Sequence, residues 1–424
     1  MRVPETSVLS DDLVRDLMAV GQVDVLVGVP TLNNAGTVTS VVRAVSAAFD
    51  QYFPRDRTLL LNSDGGSTDG TPDLVRGIRH DAGTVTVSHR LRTEHRISAP
   101  YHGLPGKGSA LRQILTVADL TQARAVAVLD ADVTTVTPEW IAALVRPVRD
   151  QQYDYVAPIY ARHPTDGLLI SQIVRPLMRA AYGWEVREPL AVEFGCSTRF
   201  LTHCLGQDIW TSELARYGMD LWITGEAPSA GFRSCQAPLG QRLAPSSPDR
   251  PGFPDVFAQV VGSVFGCLDV HAAYWLSRTG SDPLPVVGAE FAAPSEPPVV
   301  DAARLTQTLA TDLRELQDVL KTILRPETLA ALNEAVAGDR LDYTDALWVA
   351  TVGEFLIAHH RGIMSRDHIT RALVPLYLGR VRSFLSQYSA AAPADVDAAL
   401  ESLCLEFERM KPGVVAAWRE TVKR

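Results

Sequence analysis

At 424 residues with 46% hydrophobic side chains, the chain is long enough for two domains or one large decorated one, and it can fill a sizeable core. A formal net charge of -9 and a sequence pI near 5.6, without any local Lys/Arg run, argue against a nucleic-acid partner held by a basic face. The five cysteines are widely spaced and include no C-x-x-C pair, which argues against a disulfide framework or a structural zinc site and fits the reducing cytoplasm.

The amino terminus, MRVPETSVLSDDLVRDL, carries acidic residues where a signal peptide has an apolar core. No uninterrupted apolar run approaches bilayer length, so the sequence reads as cytoplasmic with no membrane partner. Residues 23 to 30, VDVLVGVP, predict a strand, TLNNAGT a polar loop, and Val38, Val41, Val42, Val45 and Phe49 recur at helical spacing. The unit repeats with TLLLN (58 to 62), the Gly-rich loop SDGGSTDG, and a helix that Thr71-Pro72 opens and that runs through Leu74, Val75 and Ile78. TVTVS (84 to 88) predicts a third strand. After GLPGKGSA come a helix over 109 to 118, the strand AVAVLD, and a helix from Thr137-Pro138 through Trp140, Ile141, Leu144 and Val145. Strands alternating with helices give an α/β fold with a Rossmann-like, mostly parallel sheet and helices on both faces, and ligands sit outside the carboxyl ends of such strands.

Residues 151 to 280 are less regular. The stretch SDPLPVVGAEFAAPSEPPVV (281 to 300) holds five prolines and reads as a connection. Beyond it Leu305, Leu309, Leu313, Leu316 and Leu320 open a helical carboxyl-terminal region over 301 to 424. That tail and segment 256 to 275 either build a homodimer or finish the core.

Asp130-Ala131-Asp132 ends the fourth strand, where alternation along an extended chain would turn both carboxylates to one side. Two hard-oxygen ligands at one point suit Mg²⁺ or Mn²⁺ carrying a diphosphate. The spacing alone is weak, since Asp395-Val396-Asp397 repeats it inside a helical stretch; the strand end sets the first apart, because paired charge there needs a compensating cation or donors. The glycines of the loop after strand two allow close backbone approach, and Asp64 can accept from a nucleobase or ribose, although Gly, Asp and Ser equally suit a plain turn. Gly106-Lys107-Gly108 precedes a helix and suits phosphate or base. Neither the P-loop nor the dinucleotide spacing is present. His359-His360 reads as an exposed helix end and Cys196 as a buried small residue; Arg162, Arg175, Arg187 and Arg199 are candidates to grip an anionic acceptor.

In order, VGVPTLNNAGT, NSDGGSTDGT, LPGKGSAL and VLDAD resemble the nucleotide-sugar glycosyltransferases of the GT-A fold. EPLAVEFGCSTRFL, WTSELARYGMDLWITGEA, APLGQRL and the terminal helices look like the retaining enzymes that make mannosylglycerate or glucosyl-3-phosphoglycerate. The resemblance implies a nucleotide-sugar-binding part over 1 to 150, an acceptor-binding part over 151 to 280, and a donor such as UDP-glucose or GDP-mannose with a small acidic acceptor, D-glycerate or 3-phosphoglycerate. It places Pro30, Asn33, Asp64, Gly106, Lys107, Gly108, Asp130 and Ala131 on the donor, Asp130 and Asp132 on the metal, Gly195, Ser197 and Thr198 on the acceptor, and Asp132, Glu193 and Asp220 in catalysis. It also implies that the departing diphosphate takes the acceptor's proton, so no dedicated base is needed.

One position departs from the pattern. Ala244 stands where such enzymes carry a metal-binding histidine; Gln241, Asp249 or His271 would have to substitute, or two aspartates with water and phosphate oxygens suffice. Two alternatives stay open: a nucleotide-sugar-binding relative with little turnover, and a transferase with a different acceptor. A sugar-phosphate nucleotidyltransferase would need an arginine- and lysine-bearing Gly-rich loop after the first strand, which TLNNAGT lacks.

Overall fold

The computed structural model describes residues 8–78, 84–91, 108–210, 212–243, 252–292, 294, 309–337 and 341–421. Among them the strands are β1 (Val25–Thr31), β2 (Thr58–Asp64), β3 (Thr84–Arg90), β4 (Ala125–Val128), β5 (Tyr155–Tyr160), β6 (Trp184–Glu185), β7 (Phe194–Ser197), β8 (Ser234–Gly240) and β9 (Asp282–Pro283). Seven build one sheet in the order β3-β2-β1-β4-β7-β5-β8, while β6 and β9 pair separately. Strand β7 runs antiparallel to β4 and β5, and the other neighbours are parallel. The sheet is therefore mostly parallel, as expected, with one reversed strand inserted near its middle.

From β1 the chain moves outward to β2 and β3, then returns to β4 and builds the other half. The strand order reverses between β1 and β4, and at such a point a crevice opens outside the carboxyl ends. Helices Val38–Tyr52 and Pro138–Gln151 cover one face, where Val41, Val45, Phe49, Trp140, Ile141 and Leu144 bury against Val25, Val27, Ala125 and Ala127. Helix Gly108–Leu120 covers the other, and it comes so close that a Cβ on Gly28 of β1 would collide with Ile114.

The chain divides into two compact units, one of Met1–Ala161, Val186–Ala244 and Leu284–Ala292, the other of Arg162–Glu185, Pro245–Pro283 and Ala293–Arg424. The divisions expected at 150, 280 and 300 differ from these. Segment 151 to 280 contributes to both units, and part of the Pro-rich stretch belongs to the first, where the Gln236 amide donates to the Pro285 carbonyl and the Gln236 carbonyl accepts from the Val287 amide beside β8. Pro285 and Val287 thus act as a short added edge, a role that the prolines concealed.

The second unit is helical. It holds helices Asp345–Arg361, Arg366–Tyr388 and Pro393–Thr421 together with Phe253–Val270. Phe253 and Phe257 pack on the Tyr377 ring, and Trp275 meets Trp418 edge-on, so segment 256 to 275 finishes this unit's core. One described helix, Phe253–Val270, is long and apolar enough to cross a bilayer by length and composition, although Asp255, Gln259 and Asp269 interrupt its apolar run. Its Phe257, Val261, Val264, Phe265 and Leu268 are buried within the unit. All five cysteines are unpaired and buried.

Candidate active site

The loops after β1, β2 and β4 meet at the crevice. Asn33 takes a left-handed conformation (φ 56°), its amide donates to Ser67 Oγ, and its Oδ1 accepts from the Thr68 amide. Asn34 donates its amide to Thr71 Oγ1, and the Ala35 amide donates to Asp69. The Thr71 hydroxyl, followed by the amides of Ala35, Thr71 and Asp69 itself, holds the Asp69 carboxyl below its ordinary range. TLNNAGT and SDGGSTDGT are therefore stitched into one rigid wall.

Asp64 does not face the crevice as expected for a nucleoside acceptor. It is fully buried and accepts from Thr31 Oγ1, the amides of Gly66 and Ser67, and Arg90 Nε, so its oxygens fold the loop from inside. Asn33 is likewise committed to the neighbouring loop, and Pro30 is buried within β1 beside Ser63. Gly106 and Lys107 lie outside the described residues. Gly108 opens its helix against the Ala215 carbonyl, too close for any Cβ, which is a packing role.

The two aspartates do converge, by a different device from the one expected. β4 ends at Val128, and residues 131–132 form a turn in which the Asp132 amide faces Asp130 Oδ1 at 3.4 Å. Ala131 points into the hydrophobic core, so it anchors the turn and leaves the carboxylates outside. Asp130 is 7% exposed, whereas Asp132 is exposed. Across the switch point Asn34 Nδ2 donates to Asp132 Oδ1 at 2.6 Å, which fixes that carboxylate over the crevice.

Asp130 is held by a residue that the sequence did not single out. Arg242 donates from a terminal nitrogen to Asp130 Oδ2 at 3.0 Å and from Nε to Glu193 Oε1 at 3.2 Å. Tyr160 donates to the other Glu193 oxygen at 2.5 Å, and its ring centroid lies 5.7 Å from the guanidinium. A register shift between β5 and β8 pairs Tyr160 with Gly240, whose φ of 87° suits glycine, and this irregularity aims both Tyr160 and Arg242 at the crevice. Burial alone would lower the Arg242 pKa, but Glu193, then Tyr160 and Asp130, outweigh it and hold the guanidinium above its ordinary value. Burial and then Glu193 push the Tyr160 hydroxyl well above 10.0.

Glu193, expected in catalysis, is 0% exposed and bonded on both oxygens, so it positions Arg242 rather than meeting substrate. The antiparallel run of β7 explains two further corrections. Phe194 pairs with Val128 and Ser197 with Ala125, so Ser197 and Thr198 lie at the opposite end of the sheet from the aspartates. Ser197 caps helix Thr198–Leu205 and donates to Asp154, and Thr198 donates to the Ala123 carbonyl. Gly195, also expected at the acceptor, is a packing glycine: its Cβ would strike the Leu144 carbonyl. Gly195→Ala is expected to cost about 1–3 kcal/mol in urea unfolding, as overpacking does. Full stability with an altered acceptor KM would return Gly195 to the acceptor site.

Asp220 occupies the first turn of helix Met219–Ser229, where its carbonyl accepts from Thr224 and its charge reaches the Tyr155 hydroxyl. Arg187 pairs with Glu290 and Arg199 with Asp154, while Arg162 and Arg175 belong to the second unit. Of the substitutes for histidine, Gln241 is exposed beside Arg242, and His271 belongs to the second unit, bonded to the Tyr182 hydroxyl. Ala244 and Asp249 lie outside the described residues.

Among the described residues no third His, Cys, Asp or Glu joins the aspartates in a metal cluster. Two carboxylates nevertheless fit a hard cation such as Mg²⁺, which keeps several waters and takes substrate phosphates. Three residues escaped the sequence reading. Asn34 adjoins a residue that was chosen, whereas Arg242 and Tyr160 carried no local signal.

Three comparisons with known proteins bear on the chain. Residues 26–202 match the model described as Glycosyl transferase family 2, a span that includes β1, the stitched loops, both aspartates and β7. No curated protein matches the chain. Solved structures of glucosyl-3-phosphoglycerate synthase from Mycobacterium tuberculosis are similar to it. One with phosphoglyceric acid is 23% identical with a TM-score of 0.43, covering 63% of this chain and 85% of its own. Another, with Mn²⁺, UDP and glucosyl-3-phosphoglycerate, is 22% identical with a TM-score of 0.44, covering 68% and 95%. A further mycobacterial protein is 24% identical with a TM-score of 0.44, covering 64% and 80%. The family match and the crevice at the β1/β4 switch point coincide: the span similar to glycosyl transferase family 2, residues 26–202, holds both strands and both aspartates.

Proposed function

We propose that the protein is a retaining hexosyltransferase that moves glucose or mannose from a nucleoside diphosphate donor to a small three-carbon acid, D-glycerate or 3-phosphoglycerate. The observation that carries the reading is the Asp130–Asp132 turn at the β1/β4 switch point, within the span similar to glycosyl transferase family 2, with Asn34 bridging the two loops. Asp130 and Asp132 would hold Mg²⁺ or Mn²⁺, which when bound supplies Lewis-acid stabilisation of the leaving diphosphate. Asn34 orients Asp132, and the rigid wall of residues 31–35 and 64–71 shapes the nucleoside end. Arg242 places a permanent positive charge beside Asp130, where diphosphate charge would arrive. No protein base is assigned, because the departing diphosphate is the group placed to take the acceptor's proton. A cytoplasmic location belongs to the same reading, supported by the five buried, unpaired cysteines.

The test is mass spectrometry of products from UDP-glucose or GDP-mannose, each offered D-glycerate or 3-phosphoglycerate, with Mg²⁺, Mn²⁺ or EDTA. A glycoside that forms with one pair and vanishes with EDTA is the expected result. A second reading, a nucleotide-sugar-binding relative with little turnover, is favoured by the ion pair between Arg242 and Asp130 and by Ala244. Donor binding without product in any combination would select it.

A further inference from the structure

Arg242 lies where a cation is wanted. Its side chain is 17% exposed, between an Asp130 carboxylate at 9% and a Glu193 carboxylate at 0%. A divalent ion on Asp130 would sit at about 2.0–2.1 Å from a carboxylate oxygen, while a guanidinium nitrogen already lies 3.0 Å from Asp130 Oδ2. Two cations on one partly buried carboxylate repel strongly, because little solvent screens them. Glu193 provides the means of release. It grips Arg242 through Nε, so the terminal nitrogens can turn away from Asp130 while Glu193 still compensates the charge.

We propose that Arg242 is a built-in counter-cation that competes with the divalent ion for Asp130, so that the ion binds tightly only when a diphosphate arrives to take up the Arg242 charge. The proposal deepens the nucleotide-sugar reading and rests on it for the identity of the diphosphate. It makes Arg242 a positioning residue that acts through Asp130. It also gives Glu193 and Tyr160 a purpose, since Tyr160 fixes the carboxylate on which Arg242 turns.

The experiment measures Mn²⁺ binding to the full chain by the paramagnetic resonance of unbound Mn²⁺, alone and with saturating UDP or GDP. In the wild type, nucleotide is expected to raise Mn²⁺ affinity by a factor within the roughly 5- to 150-fold range of coupled sites. In Arg242→Met, Mn²⁺ alone is expected to bind about tenfold tighter than to the wild type, and the nucleotide effect shrinks correspondingly. Arg242→Lys, which restores the charge without the forked geometry, should fall between them.

Because Arg242→Met leaves Glu193 buried without its counter-charge, Glu193→Gln and the double variant with Arg242→Met are measured alongside. The double variant is expected to bind Mn²⁺ tighter than Glu193→Gln alone. Mn²⁺ affinity that is unchanged or weaker in Arg242→Met, and in the double variant relative to Glu193→Gln, overturns the proposal. If neither nucleotide binds at all, the transferase reading falls, and tighter Mn²⁺ binding by Arg242→Met still upholds the competition for Asp130.

Discussion

Asp132→Asn is expected to lower glycoside formation by roughly 10²–10³-fold, the usual cost of removing one preorganised group that stabilises transition-state charge. Stability should stay within about 0.5 kcal/mol of the wild type, because the change is at an exposed position. The amide oxygen of asparagine can still accept from Asn34, so the bridge across the switch point survives while the negative charge is lost. Initial rates from product mass spectrometry, paired with urea unfolding, separate the two effects. Retained activity would make Asp132 a turn residue and end its metal role. Asp130→Asn is a less clean experiment, since Asp130 is buried and paired with Arg242, and its loss leaves a cation without a partner.

The strand-loop-helix alternation over the first 150 residues could be read from sequence because each signal is local. A β-branched run such as VLVGV makes a strand wherever it is buried, and Val38, Val41, Val42 and Val45 fall on one helix face by spacing alone. The paired aspartates were legible for the same reason. What was not legible depends on distant partners. Asp64 looks like a ligand because it follows a strand into a Gly-rich loop, and only the Arg90 side chain and the amides of Gly66 and Ser67 show that it faces inward. Arg242 meets Asp130 across 112 residues of chain, through a register shift between β5 and β8 that no periodicity announces.

The reversed strand β7 had the largest effect on the site assignments. Its sequence, FGCS, is too short to show direction, yet direction decides which end of it reaches the crevice. Running antiparallel to β4, it delivers Glu193, just before its start, to the aspartates and carries Ser197 and Thr198 away. The same residues in a parallel strand would have exchanged roles. Residue types near a motif therefore identified the neighbourhood, and strand polarity selected which of them belong to it.

Acidification is expected to destabilise the helical second unit through His359, which the sequence placed at an exposed helix end. The helix in fact continues to Arg361 and stops at Gly362, whose φ of 60° caps it, so His359 lies inside and is 2% exposed, edge-on to Phe265. Its Nδ1 is buried and has no hydrogen-bond partner among the described residues. Burial, then the charges of Arg366 and His360, push its pKa from 6.5 down to about 3. The folded protein thus keeps the ring neutral while the unfolded chain takes up a proton below pH 6.5. This contribution to stability is complete above 6.5 and is lost as pH falls toward about 3, since the unfolded state then binds more protons. At about 1.4 kcal/mol per pH unit, unfolding at pH 4.5 should be easier than at pH 7.5 by roughly 2–3 kcal/mol from this group alone. That is a large share of the roughly 5–15 kcal/mol that holds a typical domain folded. Urea unfolding at the two pH values, in the wild type and in His359→Leu, isolates the effect: the variant's pH dependence should shrink by that amount. An equal pH dependence in both proteins would mean that the imidazole accepts its proton in place, and the acid sensitivity would then belong to other groups.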